Sequence, residues 1–209
     1  MLFRSRPNTG NERTMERSLP VFGRQLGQGQ FRFDDVLVAD EYRLGALGSG
    51  FEIMQSRVAL GRILRSIHWL GAADRCLELM QQRIHSPKGQ AARLADKQLI
   101  RQRVYEVYAA ITSSRLIIRQ VASDYDQHTL DWSLLNLAKI SAARAVSCAA
   151  DHAIQVFGAA GVGDDTPLAG IYQMARSARI LDGAEDALVN TIGKGLIAAA
   201  MPASNAVAS

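Results

Sequence analysis

From about Phe51 almost to the end of the chain, apolar residues recur every three or four positions, and that period dictates a helical fold. Ile63, Ile67, Leu70, Ala73, Leu77 and Met80 trace one helix face, which Pro87 and Gly89 end. Val104, Val107, Ile111, Ile118 and Val121 trace a second, closed by the polar run from Asp124 to His128. Leu134, Ala138, Ala142, Ala145, Ala149 and Ala153 trace a third, whose small side chains let neighbouring helices approach closely. A helix of about 30 residues is about 45 Å long. Three of them with short links bury their apolar stripes most readily by packing antiparallel. Thr166-Pro167 supplies an N-cap and a first-turn proline for a shorter fourth helix. A fifth starts near Gly183 and fades into the Ala/Ser-rich tail after Ala198. The expected architecture is all-α, an up-down antiparallel helical bundle.

The front of the chain reads differently. Residues 1–30 are rich in Gly, Pro, Arg, Asn and Gln and lack periodicity, which predicts a flexible or truncated segment of loop. Arg4, Arg6, Arg13 and Arg17 suggest a transit peptide, but Glu12 and Glu16 interrupt them and no amphipathic stripe follows. Phe31 to Val38 is β-prone and partly alternating, a strand candidate, after which Gly45, Gly48 and Gly50 punctuate the chain. The segment 31–50 is thus expected to be a short β remnant and linker, 51–200 the bundle, and 201–209 a disordered tail.

Composition excludes several classes. With 209 residues and 48% hydrophobic content, the chain builds one core, with at most a small appendage. No apolar run reaches the roughly 18 residues of a membrane span. The stretch Ile192 to Met201 is too short and contains Gly193, Lys194 and Gly195. The net charge of +4 is spread along the chain and aromatics are only 6%, which argues against nucleic acid and leaves a phosphate-bearing cofactor compatible. Cys76 and Cys148 read as small buried thiols of a reducing, cytoplasmic compartment. His68, His85 and His128 lie far apart and Asp151-His152 is isolated, so no metal pattern emerges. Trp69 and Trp132 read as packing residues.

Two segments carry chemistry: Gln155-Val-Phe-Gly-Ala-Ala-Gly-Val-Gly-Asp-Asp, and Arg176-Ser-Ala-Arg-Ile-Leu-Asp182-Gly-Ala-Glu-Asp. The second places one carboxylate at the end of an apolar stretch, as a general base with a raised pKa requires. Asp182-Gly-Ala-Glu185 also has nearly the spacing of a capping box, with Asp182 as N-cap and Glu185 at the third helical position. Either role, or both, fits the residues.

The order of these segments resembles the C-terminal domain of the flavin-dependent acyl-CoA dehydrogenases. Phe33-Asp-Asp-Val36 and Gly48-Ser-Gly-Phe51 resemble the end of that family's middle β-domain and the entry to its bundle. Gly61-Arg62-Ile63, Leu70-Gly71-Ala-Ala-Asp-Arg75 and Leu94-Ala-Asp-Lys-Gln98 continue the likeness in order. Most members carry a catalytic Glu-Gly at the turn. A branch handling unusual acyl groups has Asp-Gly there, and Asp182-Gly183 resembles that branch.

The resemblance implies FAD, an acyl-CoA substrate and a place in fatty acid metabolism. It makes Asp182 the base that removes the α-proton, with Glu185 the fallback carboxylate. Arg62 falls where the family often has an arginine close to the thioester, and a solvated helix arginine is the plainer reading. Gln155, Gly158 and Gly161 match a loop near the adenosine-pyrophosphate of a neighbouring subunit's FAD, and a glycine cap ending the third helix is the plainer reading. The family's Arg-x-x-Phe-Gly motif, aligned without gaps, falls on Pro87, Gln90 and Ala91, with Lys88 or Arg93 left as replacement charges.

Members run to roughly twice this length on ordinary domain arithmetic. A dehydrogenase C-terminal domain that needs missing domains or a partner for activity is therefore one expectation. It would form a homodimer, a tetramer or a hetero-oligomer, with an electron-transferring flavoprotein as acceptor. The other is a non-catalytic helical subunit of a hetero-oligomeric dehydrogenase, or a truncated inactive homologue.

Overall fold

The computed structural model describes residues 13–23, 28–34 and 36–200. The expected disordered tail 201–209 and the first twelve residues of the front segment lie outside them. The chain divides into two compact units between Val58 and Ala59.

In the first unit, β1 (Arg13–Ser18) pairs antiparallel with β2 (Gly29–Phe33), placing Met15 opposite Phe31 and Arg17 opposite Gln30. The register slips between Met15 and Arg17, a bulge at Glu16, whose Oε2 accepts from Gln30 Nε2 at 2.8 Å. β1 lies in the stretch expected to be loop, and β2 stops at Phe33 rather than Val38. Two-residue alternation gives a strand only where a partner edge exists, and β1 offers six residues. A 3-10 turn follows at Asp40–Tyr42. Gly45 sits at φ +74° against the start of the first long helix, where a Cβ would lie 2.6 Å from Ile53 Cδ1.

The long helices lie where the apolar period predicts them. α1 (Gly50–His85) starts in the first unit and continues in the second. Pro87, which ends it, also starts α2 (Pro87–Ala91), capped by Ser86, whose Oγ accepts from Gly89 N at 3.1 Å. A 3-10 turn at Leu94–Asp96 leads to α3 (Gln98–Asp126), then α4 (Trp132–Phe157), α5 (Ala159–Val162), α6 (Leu168–Ala178) and α7 (Glu185–Ala199).

α4 is the centre of the second unit, touching α3, α5, α6 and α7. Arg62 with Asn136, Trp69 with Lys139, and Arg83 with Phe157 meet in ascending order, so α1 runs parallel to α4. Glu106 of α3 meets His152 near the end of α4, so α3 runs the other way. The arrangement is the expected up-down bundle. Ala142, Ala143, Ala149, Ala150 and Ala153 are fully buried, and the absence of larger side chains lets neighbouring helices approach α4 closely. Adding a methylene there costs about 1–3 kcal/mol.

One position on the first face differs from expectation. Ile67 is 49% exposed, and Ser66 takes the inward place at 1%. Its hydroxyl donates to Arg62 O at 2.7 Å, so it enters the core with its polar group satisfied. Trp69 is buried as a packing residue, while Trp132 is 40% exposed. Burial pushes the Cys76 thiol up to about 12, with Arg75 opposing. Among the described residues no helix is long and apolar enough to cross a membrane, and no group of side chains is arranged for a metal ion.

Candidate active site at the Asp182–Gly183 turn

α6 ends by letting the amides of Ile180 and Leu181 both bond Ser177 O, at 2.9 Å each. The chain then turns through two residues of positive φ, Asp182 at 57° and Gly183 at 116°. Aspartate is among the few side chains that tolerate the left-handed region. Ala184 stands at the N-cap of α7 with no side-chain bond, and Glu185 N returns to Arg179 O at 2.8 Å. The capping box anticipated for Asp182 and Glu185 therefore does not form. Asp182 lies two residues before the cap, and Glu185 opens the helix.

The turn is held instead by cations from α1 and α4. Arg62 Nε donates to Asp182 O at 2.9 Å, and its Nη1 donates to Asn136 Oδ1 at 2.7 Å. Lys139 Nζ donates to Gly183 O at 2.7 Å and lies 5.6 Å from the centroid of the Trp69 ring. The Lys139 side chain is completely buried. Stripping an ammonium of water costs several kcal/mol, which a charge-assisted hydrogen bond and the indole face offset. Burial pulls the Lys139 pKa below its ordinary value; Glu185 and Asp182 oppose the change, and Arg62 adds to it. Burial likewise lowers Arg62, with Asp182 opposing.

The two carboxylates have different fates. Both oxygens of Glu185, which is 5% exposed, are taken: Arg144 Nε donates to Oε1 at 2.9 Å and Arg179 Nε to Oε2 at 2.8 Å. Burial alone would raise its pKa, but the hydrogen bonds from Arg179 and Arg144 outweigh it and hold the carboxyl below its usual value. Glu185 is thus a structural anion with no oxygen free for proton transfer. Asp182 Oδ2 forms an ion pair with Arg65 Nε at 3.1 Å but accepts no hydrogen bond, although the atom is buried. Arg65 is half exposed. The turn thus presents one carboxylate whose backbone is fixed and whose buried Oδ2 has an ion-pair partner in Arg65 but no hydrogen bond.

Arg62, expected beside a thioester, has two donors committed to the turn and to Asn136. The glycine loop lies elsewhere. Gly158 caps α4 at φ 66°, its amide bonded to Ile154 O at 2.8 Å, and Gly161 N bonds Gly158 O at 2.8 Å. Gly161 is buried, and a Cβ there would lie 2.9 Å from Ile154 Cα. These two amides bond within the loop, while Gln155 and Gly158 are exposed. Arg93 pairs with Asp96 at 3.0 Å, Gln90 Nε2 donates to His85 O at 3.0 Å, and Lys88 is exposed. Asn136 and Gly158 stand 22 residues apart on one helix, about 33 Å, so this chain does not bring the turn and the loop together.

Lys139, Asn136, Arg65, Arg144 and Arg179 are missing from the sequence-derived site. One signal was present: Asn136 and Lys139, three apart, interrupt an otherwise small and apolar helix face.

Residues 48–197 match the family described as acyl-CoA dehydrogenase, C-terminal domain. The chain is 38% identical over 185 residues to the probable acyl-CoA dehydrogenase FadE2 of Mycobacterium tuberculosis, covering 87% of this chain and 46% of that one. It is 34% identical over 186 residues to the probable acyl-CoA dehydrogenase IBR3 of Arabidopsis thaliana, covering 87% of this chain and 23% of that one. The fold is similar to butyryl-CoA dehydrogenase of Megasphaera elsdenii, with a TM-score of 0.77, 22% identity, and coverage of 93% and 51%. The chain spans less than half the length of these two sequence relatives.

Proposed function

The chain belongs to the acyl-CoA dehydrogenase family through that family's C-terminal helical domain, and on that premise we propose that it serves α,β-dehydrogenation of an acyl-CoA thioester with Asp182 as the base. FAD, when bound, supplies the acceptor for the hydride that leaves the β-carbon. The Asp182 carboxylate takes the α-proton; the C–H pair it releases becomes the new double bond, and the proton rests on a carboxylate oxygen. Aspartate is one methylene shorter than glutamate, so the thioester must come closer to the turn. Arg62 and Lys139 hold the two carbonyls of the turn, and Glu185, bound by two arginines, fixes the start of α7.

Polypeptide beyond this domain completes the acyl and flavin surfaces, in a homo-oligomer or with a partner subunit. Gln155 and Gly158 contact the cofactor of a neighbouring subunit, and an electron-transferring flavoprotein takes the electrons onward. The observation that carries the reading is the buried Asp182 oxygen without a hydrogen bond, on a turn pinned through its backbone.

The test is Asp182→Asn in the FAD-loaded protein against an acyl-CoA panel, following bleaching of the flavin band. A fall of about 10²–10⁴ in rate is expected for loss of a general base. Unchanged turnover would refute the assignment.

A second reading, a non-catalytic helical subunit, is favoured by the self-bonded loop and by Pro87, Gln90 and Ala91 at the Arg-x-x-Phe-Gly positions. Titration with FAD followed by gel filtration separates the two. Co-eluting flavin with a perturbed visible band supports the enzyme, and a colourless oligomer supports the subunit.

A further inference from the structure

We propose that Lys139 is a positioning residue for Asp182: its ammonium fixes the Gly183 carbonyl and so keeps the Asp182 carboxylate from collapsing into a helix cap. The proposal rests on the reading of Asp182 as the base.

The local sequence favours another conformation. Asp182-Gly-Ala-Glu185 has nearly capping-box spacing, and an aspartate at an N-cap places its carboxylate on the amides of the first turn. A carboxylate spent that way cannot reach a substrate proton. The fold defeats this alternative at three points. Arg62 binds the carbonyl of Asp182 at 2.9 Å, and Lys139 binds the carbonyl of Gly183 at 2.7 Å, so both residues are held at positive φ. Arg144 and Arg179 take both oxygens of Glu185, which removes the other half of the box.

Of these groups Lys139 is the one whose burial stability alone does not explain. It is completely buried, and beneath the Trp69 ring an apolar side chain of similar length would fill the space without desolvating a charge. Replacing a buried charge by a well-packed apolar group is often neutral or stabilising. What such a group cannot supply is a donor for the Gly183 carbonyl. The cost of burying the charge therefore goes into specifying one backbone conformation at Asp182. The charged groups facing Lys139 are Arg62 from α1, Asp182 from the turn and Glu185 from α7, so the ammonium links all three elements.

The experiment is NMR on the full chain with labelled carbonyl and Asp Cα/Cβ carbons, comparing the wild type with Lys139→Met and Lys139→Gln, alongside thermal melts. In the wild type, the Gly183 carbonyl resonance follows the titration of the Lys139 ammonium, and the Asp182 shifts carry the left-handed signature. In Lys139→Met the Tm is held or raised. The Gly183 titration disappears, and Asp182 loses its left-handed signature for the extended values of an N-cap. Lys139→Gln, shorter but still a donor, provides a folded comparison if the Met variant does not fold, and is expected to show the same loss. Retention of the left-handed Asp182 signature in a folded variant overturns the proposal. Asp182→Asn leaves both carbonyl bonds in place, so the Gly183 titration persists, with its midpoint moved down by loss of the Asp182 charge. Its turnover judges the base assignment separately.

Discussion

The turn at residues 179–185 and the loop at 154–163 hold the two segments in which the sequence placed chemistry, and they are built on opposite principles. The loop satisfies itself: the amides of Gly158 and Gly161 bond carbonyls within the same segment, and Gly161 is a glycine because Ile154 leaves no room for a side chain. The turn is held from outside, by Arg62 of α1 and Asn136, Lys139 and Arg144 of α4. A segment that closes its own hydrogen bonds is a helix end. One that draws a buried lysine and a half-buried arginine from two other helices is worth more than its turn geometry explains, because those two charges had to lose water to reach it.

Four substitutions probe this contrast, in falling order of effect. Gly183→Ala strikes the turn hardest. It places a side chain at φ 116° with its Cβ 3.0 Å from Arg62 Nη2 and 3.2 Å from Leu188, at a cost of about 3 kcal/mol in chemical denaturation. Gly161→Ala costs about 2 kcal/mol through its clash with the Ile154 backbone. Its effect on amide exchange stays within residues 154–163; a response at 179–185 would break the contrast.

Glu185→Gln costs about 1–2 kcal/mol, the low end for charge-assisted bonds because Arg144 and Arg179 are 61% and 45% exposed. Its pH dependence sharpens the point. The folded Glu185 carboxyl lies below its ordinary 4.5, so its stabilisation is complete above that value. It is lost as pH falls through the depressed folded pKa. Melts of wild type and variant should therefore differ by a constant amount above pH about 5 and converge in stronger acid. Asp182→Asn changes stability by less than about 1 kcal/mol, since among the described residues its carboxylate has only the half-exposed Arg65 as an ion-pair partner. A larger loss would make that carboxylate structural.

The helices were legible because burial on one face imposes a period that survives in sequence. Ile67 shows the limit of that reading. Residues 66 and 67 both fit a three-or-four step from Ile63, and the choice went to Ser66, whose hydroxyl can be satisfied by the helix it belongs to. Asp182 was legible as a candidate through the order of flanking motifs, but its partners were not. Lys139 and Arg144 lie some forty residues upstream, and a lysine in a helix reads as solvated until α1 is known to cover it. The capping box was misleading for a physical reason. Local spacing describes what a free turn prefers, and this turn is not free.

The pairing of Lys139 with Trp69 gives the bundle an optical property. Of the two tryptophans, Trp132 is open to collisional quenchers and Trp69 is sealed, with a positive charge 5.6 Å from its ring centroid. The unquenched, blue component of the fluorescence thus belongs to an indole in the electric field of Lys139. Its emission maximum reports, without any label, on the residue that grips the Gly183 carbonyl.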